Sequence, residues 1–355
     1  MKYLITGNLG YIGPVLCKFI KQNNPNSFII GYDTGFFLNS QIASELEKER
    51  PYIDIQIYGD VRDNNKVSRY IKEVDYVIHL AAISNDPMGK EFEIVTHEIN
   101  NKASIDIAKA AIKNKCKAFV FASSCSVYGQ GSDKPRKELD TVNPLTAYAK
   151  SKISTENNLK EILLESSPTK ITCLRFATAC GYSPNLRLDL VLNDFVATAI
   201  SENQIKILSD GTPWRPLIDI EDMARALYWA CHRNNGKILE IMNAGSPGWN
   251  YQVKDLAYKV SQFINNKKNI NISINKSAAP DKRSYRVNFD KFYSLAPKEF
   301  TPQIDIETSI KRMVKAILPF KDRLSLERRD YLIRLCVLKN LKKNKKIDDK
   351  LYWVV

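Results

Sequence analysis

The segment from Phe121 to Lys152 contains a serine, a tyrosine and a lysine that could together oxidise an alcohol. Tyr148 and Lys152 stand four residues apart in a segment of helical character, so their side chains share one helix face. A phenol keeps its proton up to a pH of ~10, but an adjacent ammonium favours the phenolate, and Ser124 would hold the substrate oxygen. We therefore predict that Tyr148 takes a hydroxyl proton while the hydride passes elsewhere. By itself, the spacing also fits a surface tyrosine beside a solvated lysine.

A glycine-rich turn near the N-terminus predicts a dinucleotide site. Lys2–Thr6 reads as an apolar strand, a turn with Gly7, Gly10 and Gly13 follows, and a helical pattern comes next. The glycines permit unusual backbone angles and let a diphosphate approach the amides at the helix N-terminus. Asp33 ends the second predicted strand, where a carboxylate binds ribose hydroxyls and repels a 2′-phosphate, which favours NAD over NADP. The alternative is a plain glycine turn with an unrelated aspartate.

The elements that must position these groups alternate between strands and helices. Repeated β-α units of this kind predict an α/β fold built on a Rossmann-type doubly wound parallel sheet. The carboxyl ends of the strands of such a sheet lie along one edge, where ligands bind. Gly7, Asp33, Asp60, Ala81 and Ser124 all follow or end predicted strands, so we expect them to converge there.

The composition narrows the class of protein. The 355-residue chain has a net charge of +14, but residues 321–350 alone hold eleven Lys/Arg against five Asp/Glu. Much of the excess therefore lies in a tail and does not predict a groove for nucleic acid, and the rest suits an anionic small molecule. Seven cysteines without a Cys-x-x-Cys pair and only three histidines predict no metal site. No apolar run approaches the ~20 residues of an integral membrane segment, and the first strand leaves no room for a signal peptide, so we expect a cytoplasmic protein.

A set of short motifs runs in order along the chain: Thr-Gly-Asn-Leu-Gly-Tyr-Ile-Gly (6–13), Gly-Asp-Val (59–61), His-Leu-Ala-Ala (79–82), Ser-Ser-Cys-Ser-Val-Tyr-Gly (123–129), Tyr-Ala-Lys-Ser-Lys (148–152), Trp-Arg-Pro-Leu-Ile-Asp (214–219) and Asn-Ala-Gly-Ser (243–246). Together they resemble the extended short-chain dehydrogenase/reductases, specifically the NAD-dependent sugar-nucleotide epimerase/dehydratase family. Each motif is common, but the ordered set is specific. The resemblance covers roughly residues 1–318.

The resemblance implies NAD as cofactor and a nucleotide-diphosphate sugar as substrate. It makes Tyr148 the catalytic acid/base, Lys152 its electrostatic partner and a ribose ligand, and Ser124 the catalytic hydroxyl. The implied cofactor contacts are Gly7, Gly10, Tyr11, Ile12, Gly13, Asp33, Asp60, Val61, Leu80, Ala81, Ala82, Asn100, Tyr148 and Lys152, and Asp60 is the implied ligand of the adenine. The predicted substrate contacts are Ser124, Tyr148, Thr178, Asn193, Arg215 and Arg283. Among these, Asn193 is predicted to face the ligand from an amphipathic helix over residues 187–200. The planar fork of an arginine suits a diphosphate, although a surface salt bridge is the alternative for Arg215 and Arg283.

The chain departs from the family pattern in two places, one of which is residues 177–181, where the usual Asn is replaced. The dehydratases carry an Asp-Glu pair just after the catalytic hydroxyl, whereas this chain has Cys125 and Ser126 there, so a 4,6-dehydratase is not expected. Cys125 is interpreted as a buried inert thiol, with a reactive thiol as the alternative. We predict oxidation of a sugar hydroxyl at C4, as an epimerase first and a dehydrogenase/reductase second, because both share the first half-reaction. A non-catalytic dinucleotide-sensing protein is the alternative from another class.

The predicted domains follow from where the β-α pattern weakens. Residues 1–180 form the NAD-binding domain and 221–242 return to it, while 181–220 and 243–318 form a smaller, discontinuous α/β substrate domain. Residues 319–355 are a basic helical extension in which Tyr331, Leu335, Leu338 and Leu341 recur at helical spacing. We predict a docked helix, with a peripheral membrane anchor or partner-binding helix as the alternative. The family resemblance also implies a homodimer, paired through helices of the first domain.

Overall fold

The computed structural model describes residues 1–38, 52–131, 134–162, 168–264, 269–278, 281, 283–325 and 329–354. Seven of its strands form one parallel sheet, in the order β10-β6-β5-β4-β1-β2-β3. The predicted doubly wound sheet is therefore confirmed. The strands of the described residues are β1 (Lys2–Thr6), β2 (Phe28–Asp33), β3 (Ile55–Tyr58), β4 (Tyr76–His79), β5 (Ala118–Ser124), β6 (Lys170–Phe176), β7 (Thr178–Cys180), β8 (Gln204–Ile207), β9 (Trp214–Asp219), β10 (Leu239–Ala244), β11 (Asn250–Gln252) and β12 (Asn271–Ile274).

Helices cover both faces of this sheet, which explains the nearly continuous apolar runs of its central strands. Neighbouring residues of β1 point to opposite faces: Tyr3 and Ile5 enter one core, and Leu4 enters the other. The described α-helices are α1 (Gly13–Asn23), α2 (Asn64–Ile71), α3 (Asp86–Glu91), α4 (Glu93–His97), α5 (Ser104–Lys113), α6 (Ala147–Ile162), α7 (Val191–Glu202), α8 (Ile220–His232), α9 (Val253–Ile264), α10 (Asp290–Leu295), α11 (Ile306–Ile317) and α12 (Arg334–Lys343).

The helices on the two faces come from different parts of the chain. Helices α1 and α8 pack together on the first core, and α2, α5 and α6 cover the second. The chain order of the strands reverses between β1 and β4. That reversal opens a crevice at the carboxyl ends of the strands, which is where ligands bind in sheets of this kind.

The remaining described strands form two small sheets beside this crevice. Strand β9 pairs with β7 and β11, and β8 pairs with β12. Helices α7, α9 and α11 pack with them around a third core. Helix α7 begins at Val191 and not at the predicted Arg187, because Leu190 has an extended backbone at the N-cap and Arg187 pairs with Asp189. These elements lie in the predicted substrate-binding segments, and the domain boundaries stay a prediction.

The C-terminal segment returns to the main sheet. Leu338 of α12 is fully buried in the second core, as are Ile347 and Leu351 beyond the helix. Leu335 and Leu341 pack against the same core from partly buried positions. Helix α12 also contacts α3. None of the helices described is long and apolar enough to cross a membrane.

Candidate functional site

A cavity of about 720 Å³ opens at the carboxyl ends of the parallel strands. Its walls come from the segments after six of these strands and from the two small sheets. Most of the residues named from the sequence line it: Gly7, Gly10, Tyr11, Ile12, Asp33, Asp60, Val61, Leu80, Ala81, Ala82, Ser124, Tyr148, Lys152, Thr178, Arg215 and Arg283. Residues separated by up to 276 positions therefore meet at one site, as the parallel topology predicts.

The glycine turn between β1 and α1 forms a close cradle that fits a dinucleotide diphosphate. Gly7 has a φ of +74°, and a Cβ atom there would lie 2.6 Å from the backbone nitrogen of Ala81. Only glycine meets both conditions. Gly13 does not line the cavity, because it packs against Asn8, whose carbonyl oxygen would lie 2.1 Å from an added Cβ atom. Gly13 thus allows the helix to pack closely on Asn8, and its predicted contact with the cofactor stays a prediction.

Two carboxylates mark the outer end of the cradle. Asp33 accepts hydrogen bonds from the backbone nitrogens of Leu9 at 3.2 Å and Gly35 at 2.8 Å. Burial raises the pKa of Asp33, although these amides oppose the shift. Asp60 accepts hydrogen bonds from the guanidinium of Arg62 at 2.6 and 3.0 Å. Both side chains line the cavity and can receive the ribose and adenine groups predicted from the sequence.

Two asparagines predicted as ligands lie behind the cavity wall. The side chain of Asn100 bonds the backbone of Ile83 at 2.8 and 2.9 Å and the hydroxyl of Ser151 at 3.0 Å. Asn193 accepts from the Gly181 nitrogen at 3.0 Å and donates to the hydroxyl of Tyr11 at 3.0 Å. Both are fully buried and absent from the lining. In this structure both side chains hold loops together, and their predicted ligand contacts stay predictions.

Ser124, Tyr148 and Lys152 come together at the centre of the cavity wall. Ser124 ends β5, and Tyr148 and Lys152 lie one turn apart at the start of α6. The Ser124 hydroxyl acts on the Tyr148 phenol and opposes the rise of its pKa. The Lys152 ammonium donates to the Ala122 carbonyl oxygen at 2.8 Å and lies 5.7 Å from the centre of the Tyr148 ring. The geometry brings a proton donor, a hydroxyl and a cation to one surface.

The ionisation of Tyr148 and Lys152 differs from what the sequence predicts. Burial raises the pKa of Tyr148 to about 12, although Ser124 and the positive charge of Arg187 oppose the shift. Burial also lowers the pKa of Lys152 to about 7, against the attraction of Glu156. The predicted lowering of the phenol pKa by Lys152 is therefore absent in the protein alone. The physical reason is that desolvation disfavours the charged form of each group.

A buried ion pair supports the helix that carries this lysine. Glu156 lies one turn beyond Lys152 and is fully buried. It accepts from the Ser123 hydroxyl at 2.5 Å and from Arg175 at 2.7, 3.0 and 3.1 Å. Arg175 also donates to the Tyr128 hydroxyl at 3.0 Å. This network joins α6 to β5 and β6 beneath the cavity.

Neutralising this carboxylate is expected to destabilise the fold. Glu156→Gln leaves the Arg175 guanidinium buried without a counter-charge, which costs about 3 kcal/mol or more. Urea unfolding followed by circular dichroism measures the loss. Glu221→Gln is the matched control, because its pair with Arg312 is exposed and contributes at most about 1 kcal/mol. Equal small effects of the two substitutions would contradict the assignment.

A cluster of arginines and carboxylates occupies the substrate side of the cavity. Arg215 pairs with Asp281 at 2.7 Å and also bonds the backbone of Arg283. Arg283 pairs with Asp281 at 3.0 Å and with Asp86 at 2.8 Å. The two predicted arginines are therefore neighbours that share one carboxylate. The guanidinium groups of Arg215 and Arg283 form the salt bridges that were the alternative to a diphosphate contact, and both residues also line the cavity.

The sequence reading missed a second group of polar residues in the wall. Arg187 makes a bidentate pair with Asp189 at 2.9 and 3.0 Å and donates to the Ser84 hydroxyl at 2.9 Å. All three line the cavity, and the charge of Arg187 acts on Tyr148. An Arg-x-Asp spacing is too common to reveal this role, so no sequence signal marked it. It places a fixed cation near the phenol.

The side chains that follow Ser124 differ in exposure. Cys125 is buried, and its thiol donates to the Arg175 carbonyl oxygen at 3.0 Å. Burial raises the pKa of this thiol, which makes it inert. Ser126 lines the cavity instead. Within the described ranges, no cluster of three or more His, Cys, Asp or Glu side chains could hold a metal ion.

Comparison with known proteins places this arrangement in a family. A sequence model of the NAD dependent epimerase/dehydratase family matches residues 3–245. The chain is 27% identical over 320 residues to a putative UDP-glucose 4-epimerase of Methanocaldococcus jannaschii, covering 88% of this chain and 96% of the relative. It is 25% identical over 330 residues to a UDP-N-acetyl-alpha-D-glucosaminuronate decarboxylase of Bacillus cytotoxicus, with the same two coverages, 88% and 96%.

Solved structures show the same fold. The UDP-glucose 4-epimerase of Thermotoga maritima, solved with UDP-glucose, superposes with a TM-score of 0.74 at 21% identity. The match covers 90% of this chain and 99% of that structure. About a tenth of the present chain therefore has no counterpart in that neighbour.

Proposed function

This chain belongs to the NAD-dependent epimerase/dehydratase family, as its motifs predict, and from that membership we propose that it epimerises a nucleotide-diphosphate sugar at C4. NAD is the cofactor of this family. One observation carries the proposal: Ser124, Tyr148 and Lys152 line the same cavity as the glycine cradle and the two arginines. The proposed dinucleotide site, acid/base pair and diphosphate clamp would thereby be adjacent.

The proposed chemistry assigns one task to each side chain. Tyr148 takes the proton from the sugar hydroxyl and later returns it, and Ser124 orients the same oxygen by hydrogen bonding. The cations of Lys152 and Arg187 stabilise the phenolate when Tyr148 is deprotonated. When bound, NAD supplies the acceptor for the hydride. If the oxidised sugar rotates within the cavity so that its other face meets the cofactor, the returning hydride yields the epimer.

The substrate class is argued from the arginine cluster. Arg215 and Arg283 present two guanidinium forks to the cavity, which suits the oxygens of a diphosphate. Asp281 occupies these forks in the structure, so a diphosphate would compete with that carboxylate. Because both curated relatives above are named for UDP-sugars, UDP-linked hexoses are the first candidates.

Product analysis on a panel of UDP- and dTDP-sugars tests the function. Purified protein with NAD+ is incubated with each sugar, and products are analysed by mass spectrometry and proton NMR. A product of unchanged mass with altered sugar couplings supports an epimerase. A product lighter by two hydrogens, with NADH accumulating, would replace it by a dehydrogenase. Loss of water would overturn the inference from Cys125 and Ser126. Tight NAD binding without any product would support a sensing protein.

A further inference from the structure

The C-terminal segment 329–354 lies along the adenosine end of the cofactor cradle. The indole nitrogen of Trp353 donates to the Thr34 carbonyl oxygen at 2.8 Å, and the Trp353 ring lies 5.2 Å from the ring of Phe36. Thr34 directly follows Asp33, the predicted ribose ligand. The tail thus contacts the loop that presents this carboxylate.

A second contact joins the tail to the other predicted adenosine ligand. Arg62, which holds Asp60, stacks on the ring of Tyr352 at 3.7 Å and donates to the Lys350 carbonyl oxygen at 2.8 Å. Leu351 is fully buried between these residues and anchors them. Two independent contacts therefore attach segment 329–354, one to the loop after Asp33 and the other to Arg62, which holds Asp60.

Arg334, the first residue of α12, carries the inference. Its side chain is only 2% exposed, lines the cavity and stacks on Phe37 at 4.3 Å. One amino group, Nη2, donates to Asn185 at 2.7 and 3.1 Å, and Asn185 in turn bonds the carbonyl oxygen of Leu9 in the glycine turn. The guanidinium is therefore held beside the cradle.

The second amino group of this guanidinium lacks a partner. Nη1 of Arg334 is buried and bonds to none of the residues that the structure describes. A buried cation with an unpaired donor is unfavourable unless an anion completes it. Asp33 and Asp189 attract the guanidinium without pairing with it, and Arg187 repels it. An anion that enters the cavity would supply this missing partner.

We propose that segment 329–354 is part of the cofactor site and that Arg334 binds the diphosphate of the dinucleotide. A dinucleotide whose ribose reaches Asp33 and whose diphosphate lies on the glycine turn brings its negative charge to this cradle. A guanidinium is well suited to phosphate oxygens. The proposal rests on the cofactor of the family and not on the sugar reaction. A negative result for Arg334 would therefore not contradict the proposed epimerase activity, and the reverse also holds.

Binding measurements on a series of adenosine ligands test the proposal. Arg334→Gln in the full chain is titrated calorimetrically with NAD+, ADP-ribose, ADP and adenosine after removal of any bound cofactor. We expect a loss of about ten- to hundredfold for the three diphosphates, the range of a charged hydrogen bond, and little change for adenosine. Arg312→Gln, which removes an exposed arginine elsewhere, is the matched control and should change none of them.

Other outcomes overturn the proposal. An equal loss for adenosine and the diphosphates would make Arg334 a structural residue, and no loss would remove it from the site. NADP+ is titrated as a fifth ligand, and a loss confined to NADP+ would assign Arg334 to a 2′-phosphate instead. If Arg334→Gln does not fold, hydrogen exchange on the unmodified protein decides. ADP should then slow exchange in α12 more than adenosine does, and equal protection would contradict the proposal.

Discussion

Tyr148→Phe is expected to lower turnover of the sugar substrate by about 10²- to 10⁴-fold while leaving NAD binding unchanged within about threefold. The substitution removes one hydroxyl from a half-buried ring and keeps the ring's packing. That hydroxyl is the proposed acid/base, and the Ser124 hydroxyl acts on it within the same cavity. Turnover is measured by product NMR, and binding of NAD+ by calorimetry.

The pH dependence supplies a second readout on the same variant. Because the pKa of Tyr148 is raised to about 12, the phenol is protonated in the protein alone. Turnover should therefore rise with pH up to about 7, where Lys152, whose pKa is lowered to about 7, begins to lose the charge that stabilises the phenolate. The residual activity of Tyr148→Phe should lack this rise. Tyr293→Phe, which alters a phenol on α10 outside the cavity lining, is the matched control and should retain turnover. Unchanged turnover of Tyr148→Phe would refute the catalytic assignment.

Lys152→Met is expected to abolish turnover and yet to stabilise the protein. The Lys152 side chain is only 3% exposed, and burial lowers its pKa from 10.5 to about 7. Such a shift corresponds to a cost of roughly 4 kcal/mol at pH 7. Methionine fills a similar volume without a charge but leaves the Ala122 carbonyl oxygen without this donor. A net gain of about 1–3 kcal/mol in unfolding free energy is expected.

The sign of this effect also predicts its pH dependence. Between pH 7 and 10 the unfolded chain binds more protons at residue 152 than the folded chain does, so stability from this group rises with pH. The advantage of Lys152→Met should therefore shrink by about 2 kcal/mol between pH 7 and 9. Urea unfolding without added NAD measures both values. Lys150→Met, an exposed lysine on the same helix, is the control and should show no such trend.

A Lys152→Met variant less stable than the parent protein at pH 7 would contradict this account of burial. Retained turnover would separately remove Lys152 from the catalytic group. The two readouts are independent, because the first concerns the free energy of the fold and the second concerns the stabilisation of a phenolate. A residue kept at the expense of stability is expected at a functional site.

Features encoded in contiguous segments were predicted from the sequence. Strand, glycine turn and helix follow one another within residues 2–23, and their order alone indicates the cradle. Tyr148 and Lys152 share a face because the period of a helix places them there. The parallel sheet follows from repeated β-α units, and it determines that strand ends converge. These inferences need only local geometry and topology.

The features that only the tertiary structure determined depend on residues that are close in space but distant in the sequence. Gly13, Asn100 and Asn193 match family positions, yet packing places them behind the cavity wall, whereas Arg187 and Arg334 enter it without a sequence signal. The direction of the Tyr148 and Lys152 pKa shifts was likewise not readable from their spacing. Desolvation is set by every atom that surrounds a group, and those atoms come from segments far apart in the chain. The sequence by itself determined which chemical groups are available and along which edge they gather, and the tertiary structure determined which of them face the ligand and how they ionise.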